Sequence, residues 1–458
     1  MKRALLIVSG FLLLTVAAFW SYSAYQQYRS YQTLIPKNAT SVIRIDVDAL
    51  IKDLAWNALW NPAYYWGEPK GESLRLDRKI GQEMGIAIPA NLFLYQTEHP
   101  ASAADANTYF GTVRLTDTAA FGRWLSDRLH MQVHEDTIGK VAFVDHALVV
   151  YDAERAFFAL APQKLRPDAR LRNTLQALSA SKEWVPISDS RFVGIKRTDG
   201  HVIRLSTEGL VAVEFKKGEI GFSWEQEVSS SLASPKTAPD FPESNAVSFW
   251  MQGILDEWLM GRQLRLGEHI LHGDSLLRHC QSSLVMEWKG TVVQRDTIVS
   301  YDYDENFIMH EREEHVEKIV PELYLSVSAG DGFTRYLQAQ GIVDSNGQAV
   351  NREAIPLYQL ATSIIGDGYL QFHTAEQPRQ LPRQRDAGND VLYLRIQFGN
   401  IDPRTIPSGL ARYLQVGDYL ELTGRQLREN RVVLQGNLRM RDRRINSLAQ
   451  LLTMGTER

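Results

Sequence analysis

An α+β architecture, with an N-terminal transmembrane helix ahead of repeated strand–helix–hairpin units and antiparallel sheets, is what the 458-residue sequence predicts. Three observations predict it. An uncharged apolar run stands near the N-terminus, a strand followed by a short amphipathic helix recurs along the chain, and alternating segments bounded by turn residues fill the intervals.

The apolar run extends from Ala4 to Trp20 and is broken only by Ser9, Gly10 and Thr15. As a helix it would cover roughly 26 Å, close to the hydrocarbon thickness of a bilayer. Lys2 and Arg3 precede it and no charge follows until Arg29. That asymmetry predicts a single-pass protein of the cell inner membrane with its N-terminus cytoplasmic and its body periplasmic. Trp20, Tyr22, Tyr25, Tyr28 and Tyr31 suit the headgroup layer, where an apolar ring and a polar tip are both satisfied. A cleaved signal peptide is the alternative, given the small residues Ser21, Ser23 and Ala24. Bulky Trp20, Tyr22 and Tyr25 crowd that site and favour an uncleaved signal anchor. No cysteine lies near the segment, so a lipobox-type anchor is excluded.

Bulk composition narrows the rest. At 44% hydrophobic and 23% charged the chain is ordinary globular material, long enough for two or three domains. A net charge of -4 supplies no field that would drive it onto nucleic acid. Ten Trp and eighteen Tyr suit pleated surfaces. The single cysteine, Cys280, rules out an internal disulfide, a multi-cysteine zinc site and an iron–sulfur cluster, and reads as a small buried hydrophobe.

Beyond the anchor, Ile43, Ile45 and Val47 alternate with Arg44, Asp46 and Asp48, the pattern of a strand with one buried face. A helix from Ala49 to Trp60 follows and is stopped by Pro62. The same step recurs in Thr112 to Leu115 leading to Asp117–Leu125, and in Leu323 to Val327 leading to Asp331–Leu337. It recurs again in Leu392 to Phe398 leading to Leu410–Leu414, and in Val247 to Met251 leading to Leu255–Leu259. The shared core is an apolar residue, any residue, a charge, an aromatic and leucine, which on a helix puts the first, fourth and fifth on one face. Asp117 and Asp331 stand where N-caps belong. Hairpins are expected at 141–151, 202–224, 283–316 and 419–440, the second carrying a Lys-Lys-Gly-Glu turn. The Ser-, Ala- and Pro-rich stretch Ser229 to Asp240 is the best linker. The plan is therefore a membrane anchor and juxtamembrane helix over 1–33, an α+β domain over 34–228, the linker 229–240, and a second α+β domain over 241–458. A Pro- and Arg-rich loop, Glu376 to Asn389, is expected on the surface.

Few motifs carry chemistry. Gly273-Asp274-Ser275-Leu276 resembles the first block of the GDSL lipases and esterases, which would make Ser275 a nucleophile. That family also needs Asp three residues before a downstream histidine, and His279, His310, His315 and His373 all lack it; the string also reads as helix. His310 and His315 are five apart, wrong for a helical zinc pair, and a charged strand accounts for them better. His272 and His279 would share a helix face, without an evident third ligand. Asp302, Asp304 and Glu305 cluster at a hairpin tip without EF-hand spacing. No phosphate loop or dinucleotide fingerprint is present.

Two surfaces are candidates for interaction. Trp56, Trp60, Tyr64, Tyr65 and Trp66 form the densest aromatic patch. They make either a local core closed by Pro62, or a platform for a sugar, a peptide or the membrane surface, and exposure decides between them. Arg425, Arg428, Arg431, Arg439, Arg441, Arg443 and Arg444 make the C-terminal part basic, in contrast to the acidic stretch 296–322, and could dock a partner.

The opening Ile35-Pro36-Lys37-Asn38-Ala39, the strand Val42 to Val47, and the tract from Tyr301-Asp302-Tyr303-Asp304 through Pro321-Glu322-Leu323 to Gly330-Asp331 resemble an uncharacterised family of membrane- or lipid-anchored bacterial envelope proteins, whose bodies begin with an Ile-Pro-Lys-Asp-Ala-like stretch. The resemblance implies an envelope location and transfers no catalytic residue. The sequence thus predicts a non-enzymatic protein without cofactor, metal or nucleic acid. Its expected partners are the membrane and another envelope protein, in a scaffold or assembly role. An envelope hydrolase using Ser275 and a lipid- or glycan-binding module are the alternatives.

Overall fold

The computed structural model describes residues 20–66, 84–97, 108–136, 139–162, 164–165, 171, 174–175, 178, 183–228, 237–253, 255–303, 309–330, 332–366, 368–407, 411, 414–428 and 430–456. Apart from Trp20, the apolar run Ala4 to Trp20 lies outside them. The chain groups into two compact units, Met1–Lys217 with Arg444–Arg458, and Gly218–Arg443. The stretch Ser229 to Asp240 falls inside the second unit; its residues 229–236 lie outside the described ones, and Thr237–Pro239 is a short strand.

In the first unit a helix over residues 20–30 (α1) leads to strands β1 Leu34–Pro36 and β2 Ala39–Asp46. Helices α2 Val47–Trp60 and α3 Pro62–Trp66 follow, then β3 Asn91–Thr97, β4 Tyr109–Arg114 and helix α4 Thr118–Asp127. Next come β5 Gln132–Asp136, β6 Gly139–Val144, β7 Ala147–Tyr151, β8 Arg155–Leu160, β9 Trp184–Pro186, β10 Val202–Ser206 and β11 Gly209–Lys216. All but β1 and β9, which pair with each other, build an antiparallel ladder in the order β11-β10-β2-β3-β4-β8-β7-β6-β5.

Local chemistry starts the helices. The Asp46 carboxylate accepts from the Ala49 amide at 2.9 Å, so α2 begins two residues before the point the sequence suggested. Asp117 accepts from Ala119 and Ala120, and Phe121 and Leu125 of α4 are buried while Arg123 points to solvent. The packing reading of that motif is correct here.

The second unit contains β12 Glu219–Glu227, β13 Thr237–Pro239, β14 Val247–Gln252, helix α5 Leu255–Leu259, β15 Gln263–Leu266, β16 His269–His272 and helix α6 Gly273–His279. It continues with β17 Cys280–Tyr303, β18 Met309–Ala329, helix α7 Phe333–Ala339, β19 Ala361–Ile365, β20 Tyr369–His373 and β21 Gln384–Asp386. Last are β22 Asp390–Gln397, β23 Gly417–Arg428 and β24 Arg431–Met440. The ladder runs β12-β24-β23-β22-β14-β17-β18-β20-β19, all antiparallel. The pairs β13–β21 and β15–β16 stand apart from it. One face is apolar and carries a core that includes Leu255, Leu259, Leu276, Phe333 and Leu337 from the three helices. The other face carries a polar row across neighbouring strands: His373, Tyr324, Glu287, Ser248, Arg395, Glu421 and Asn437.

The two units repeat one topology. Numbered by first appearance, the strands β11-β10-β2-β3-β4-β8-β7 and β23-β22-β14-β17-β18-β20-β19 both read 7-6-1-2-3-5-4. In both, a helix follows the first strand and another follows the third. The recurring strand–helix step in the sequence is the trace of this duplication. The first unit extends one edge of the pattern with β6 and β5, the second the opposite edge with β24 and β12.

The expected fold class needs correction. The body is predominantly β, built on large antiparallel ladders, and is not an α+β arrangement of comparable helices and strands. The five-residue motif supplies little more than one turn: α5 has five residues and α7 has seven, too short to form a layer of their own. The expected N-terminal transmembrane helix is likewise unsupported, since among the described residues no helix is long and apolar enough to cross a membrane. Two local expectations also change. Gly332, not Asp331, occupies the N-cap of α7, without a side-chain bond, and Asp331 lies outside the described residues. The faces of β2 are exchanged relative to expectation: Val42 and Arg44, the latter 5% exposed, lie on the side of the main core, where the carbonyls of Ile195, Thr198 and Gly200 meet the guanidinium, while Ile43 and Ile45 are only half-buried.

Candidate interaction surface

The aromatic patch sits on α2 and α3 in the first unit, and most of it faces outward. Trp56, Trp60 and Trp66 are 65%, 67% and 66% exposed, joined by exposed Leu59 and Tyr64. Only Tyr65 is buried. The local-core reading therefore holds for one ring of the five. Trp56, Leu59 and Trp60 recur at helical spacing, so they share one side of α2, and the two indoles meet edge to face at 5.9 Å. No charged residue occurs from Leu54 to Trp66.

What holds this face up is a polar hinge beneath it. The buried Asn57 donates to the Arg444 carbonyl at 2.9 Å, and its Oδ1 accepts from the Tyr65 hydroxyl at 2.8 Å and from the Asn446 amide at 2.9 Å. Asn61 donates to the same Arg444 carbonyl, and the Tyr64 hydroxyl lies 3.2 Å from that of Thr453 on the C-terminal helix Ser447–Thr456. Ala58, Tyr65, Ile445 and Ala449 close a small core under α2. Burial pushes the Tyr65 phenol up to about 12, so it remains a donor at neutral pH. The tryptophans thus stand on a braced scaffold. An asparagine between Trp56 and Ala58 gave no hint of this in the sequence.

At the other end α2 is tied to α1. The Ser23 hydroxyl donates to Asp48 at 3.1 Å, and Lys52 bonds both Ser23 and Asp48 at 2.7 Å. Asn91 reaches Gln27 and Ser30 from β3. Trp20, Tyr22, Tyr25 and Tyr28 of α1 are exposed.

Several arginines of the strip have local partners while remaining largely exposed. Arg425 bonds Asp390 at 3.1 Å, Arg443 bonds Asp418 at 3.2 Å, and Arg431 pairs with Glu225. Arg441 donates to the Gly417 carbonyl, and Arg439 donates to the Tyr419 hydroxyl. Arg395 and Arg439 also lie over the Tyr419 ring, both at 5.6 Å. The side chain of Arg428 lies outside the described residues. Arg444 belongs to the first unit and the others to the second.

The catalytic-looking strings find structural uses. Gly273-Asp274-Ser275-Leu276 opens helix α6, where Asp274 accepts from the Gly261 amide at 2.8 Å and Leu276 is buried. Among the downstream histidines, His279 stacks on Tyr336 and His315 lies 3.2 Å from Thr297. His373, which is buried, bonds the Ala375 carbonyl through Nδ1 at 2.7 Å and Ser363 through Nε2 at 3.1 Å. The Ser363–His373 pair spans β19 and β20 and was not visible in the sequence, since the partners are joined only by strand pairing. The side chains of His310 and Asp302, and residues Asp304 and Glu305, lie outside the described ones. Among the described residues no group of three or more His, Cys, Asp and Glu is placed to hold a metal ion. Among the described residues, β17 pairs only with β18 between Val292 and Tyr303, and this ribbon carries the acidic stretch. Asp296 meets Arg352 there at 2.7 Å.

Cys280 caps the end of α6, and burial pushes its thiol up to about 11. At pH 8 about one molecule in a thousand would carry the thiolate. Ellman's reagent should therefore label native protein far more slowly than urea-unfolded protein; equal rates would contradict this environment.

No protein-family model and no curated protein matches the chain. Two solved structures, crystal forms I and III of TP0453, align with 78% and 75% of this chain and with 94% and 93% of their own. Identities are 9% and 8%, and TM-scores 0.22 and 0.24.

Proposed function

We propose that the protein is a non-catalytic component of a bacterial cell envelope, attached at the outer face of the inner membrane, that works by surface contact as a scaffold or assembly module. The observation that carries this reading is the exposed, uncharged platform of Trp56, Leu59, Trp60 and Trp66, braced from below by Asn57. Exposed indoles gathered on a fixed helical pair are costly in water, and such patches mark contact sites. The apolar run ahead of Trp20 and the aromatic side chains of α1 support attachment to a membrane.

Benzoylphenylalanine placed at position 56, 60 or 66 of the full chain, irradiated in intact membranes, should give position-specific protein or lipid adducts. A control at Val193, an exposed residue of the same unit remote in sequence, should give none. Equal yields at the platform and at Val193, or none at all, would remove the platform from the function.

A further inference from the structure

Resting on the reading that the platform is the working contact, we infer that its occupant is the lipid surface itself: α2 and α3 lie in the headgroup layer as a second, peripheral membrane contact. Three observations favour lipid over a protein partner. The first is chemical. From Leu54 to Trp66 the chain has no charged side chain and no hydrogen-bonding group beyond asparagine, tyrosine and indole. A protein partner is normally registered by charge or by directional bonds, whereas a bilayer boundary asks for rings with an apolar body and one polar edge. The second is geometric. Trp56, Leu59 and Trp60 present one apolar side of a helix, as an interfacial helix does.

The third observation is continuity. The apolar run ends at Trp20, and Ser23, one helical turn later, is hydrogen-bonded to Asp48 in the first turn of α2. Along a helix that separation is about 4.5 Å. Wherever lipid receives the apolar run, the start of α2 is therefore within a few ångströms of the boundary. Exposed Trp20, Tyr22, Tyr25 and Tyr28 continue the same kind of surface along α1. Given such a first contact, the indoles farther along α2 and α3 would add a second one, and the local concentration makes even weak partition effective. The consequence is orientational. The first unit would then meet the bilayer at two points instead of one.

The test uses the full chain in phosphatidylcholine vesicles, with Cys280→Ser and a single environment-sensitive NBD label at Trp60→Cys. Leu59→Cys is the replacement site if the first variant misfolds, and Val193→Cys is the control. NBD at 60 or 59 should shift to the blue and be quenched by lipids carrying a shallow nitroxide. Quenching about threefold stronger than at 193 is expected for a group seated roughly 5–10 Å into the headgroup boundary. Because the surface is uncharged, 1 M salt should leave the signal unchanged, and loss in salt would overturn the lipid assignment. An unquenched label together with a protein adduct in the photocrosslinking experiment would overturn the lipid assignment and preserve the contact function. An unquenched label with no adduct would overturn both.

Discussion

Arg44→Ala should cost the first unit about 3 kcal/mol or more, read as a lower denaturant midpoint for that unit with the second unit's transition unmoved. The side chain is buried, and its guanidinium is held by four acceptors. Nη1 donates to the Tyr31 hydroxyl and the Ile195 carbonyl, both at 2.9 Å, and Nη2 donates to the carbonyls of Thr198 at 3.2 Å and Gly200 at 2.9 Å. Those carbonyls belong to the 3₁₀ turn Val193–Arg197 and the coil after it, which lie over this face of the sheet. Hydrogen bonds to a charged group contribute roughly 1.5–3 kcal/mol each, and removing the donor leaves buried oxygens unpaired. Truncation therefore withdraws the fastening between β2, α1 and residues 195–200 at once. Arg44→Lys should fall between wild type and alanine, because an ammonium keeps the charge but cannot fork to four acceptors. A midpoint for Arg44→Ala within about 0.5 kcal/mol of wild type, the usual range of surface substitutions, would refute the fastening.

Arg44 also marks where sequence reasoning reaches its limit. An alternating Ile-Arg-Ile-Asp strand reads as one wet face and one dry face, and that is sound for a sheet with a single covering layer. Here the face expected to be wet is the buried one: Val42 and Arg44 lie on the side of the main core, Ile43 and Ile45 are only half-buried, and the cover above Arg44 is a 3₁₀ turn followed by coil, whose carbonyls need donors. Nothing local to β2 announces a segment some 150 residues away. The platform erred in the opposite direction. Trp56, Leu59 and Trp60 have the spacing of a buried helix face, and periodicity cannot tell a face that has found a core from one that has not.

What was legible was local. Asp117 caps its helix, Phe121 and Leu125 turn inward around an exposed Arg123, and Phe333 and Leu337 do the same around Arg335. The step from strand to short helix was therefore readable after β2, β4, β14 and β18, while the copy at Leu410 to Leu414 lies largely outside the described residues. The balance of helix to strand was not, because a five-residue amphipathic motif gives no measure of how far its helix continues. Nor was the order in which the strands assemble. Placing β10 beside β2, and β22 beside β14, joins segments far apart in sequence, and that is the feature that reveals the duplication.

Gly273→Ala should destabilise the second unit by about 3 kcal/mol, the upper end of the range for overpacking a closed site, while Ser275→Ala should stay within about 0.5 kcal/mol. A Cβ at position 273 would collide with the Leu259 carbonyl oxygen, and would stand 2.7 Å from the Leu259 carbonyl carbon and 3.1 Å from the Arg262 oxygen. All three are backbone atoms at the end of α5, so no side chain can rotate away. The Gly273 amide also donates to the Arg262 carbonyl at 2.8 Å, and Asp274 accepts from the Gly261 amide, which fixes the approach of α6 to α5 from both sides. The extra methyl must therefore push the two helices apart and open the core formed by Leu255, Leu259, Leu271 and Leu276. A nucleophile motif predicts the reverse ranking of consequences, with the serine decisive for activity and the glycine needed only for a turn. Measuring the two variants side by side by chemical denaturation separates the accounts. If alanine at 273 is tolerated, the glycine is not there for packing and the string regains its claim to chemistry; if it is not, the resemblance to an esterase block is a by-product of two short helices meeting backbone to backbone.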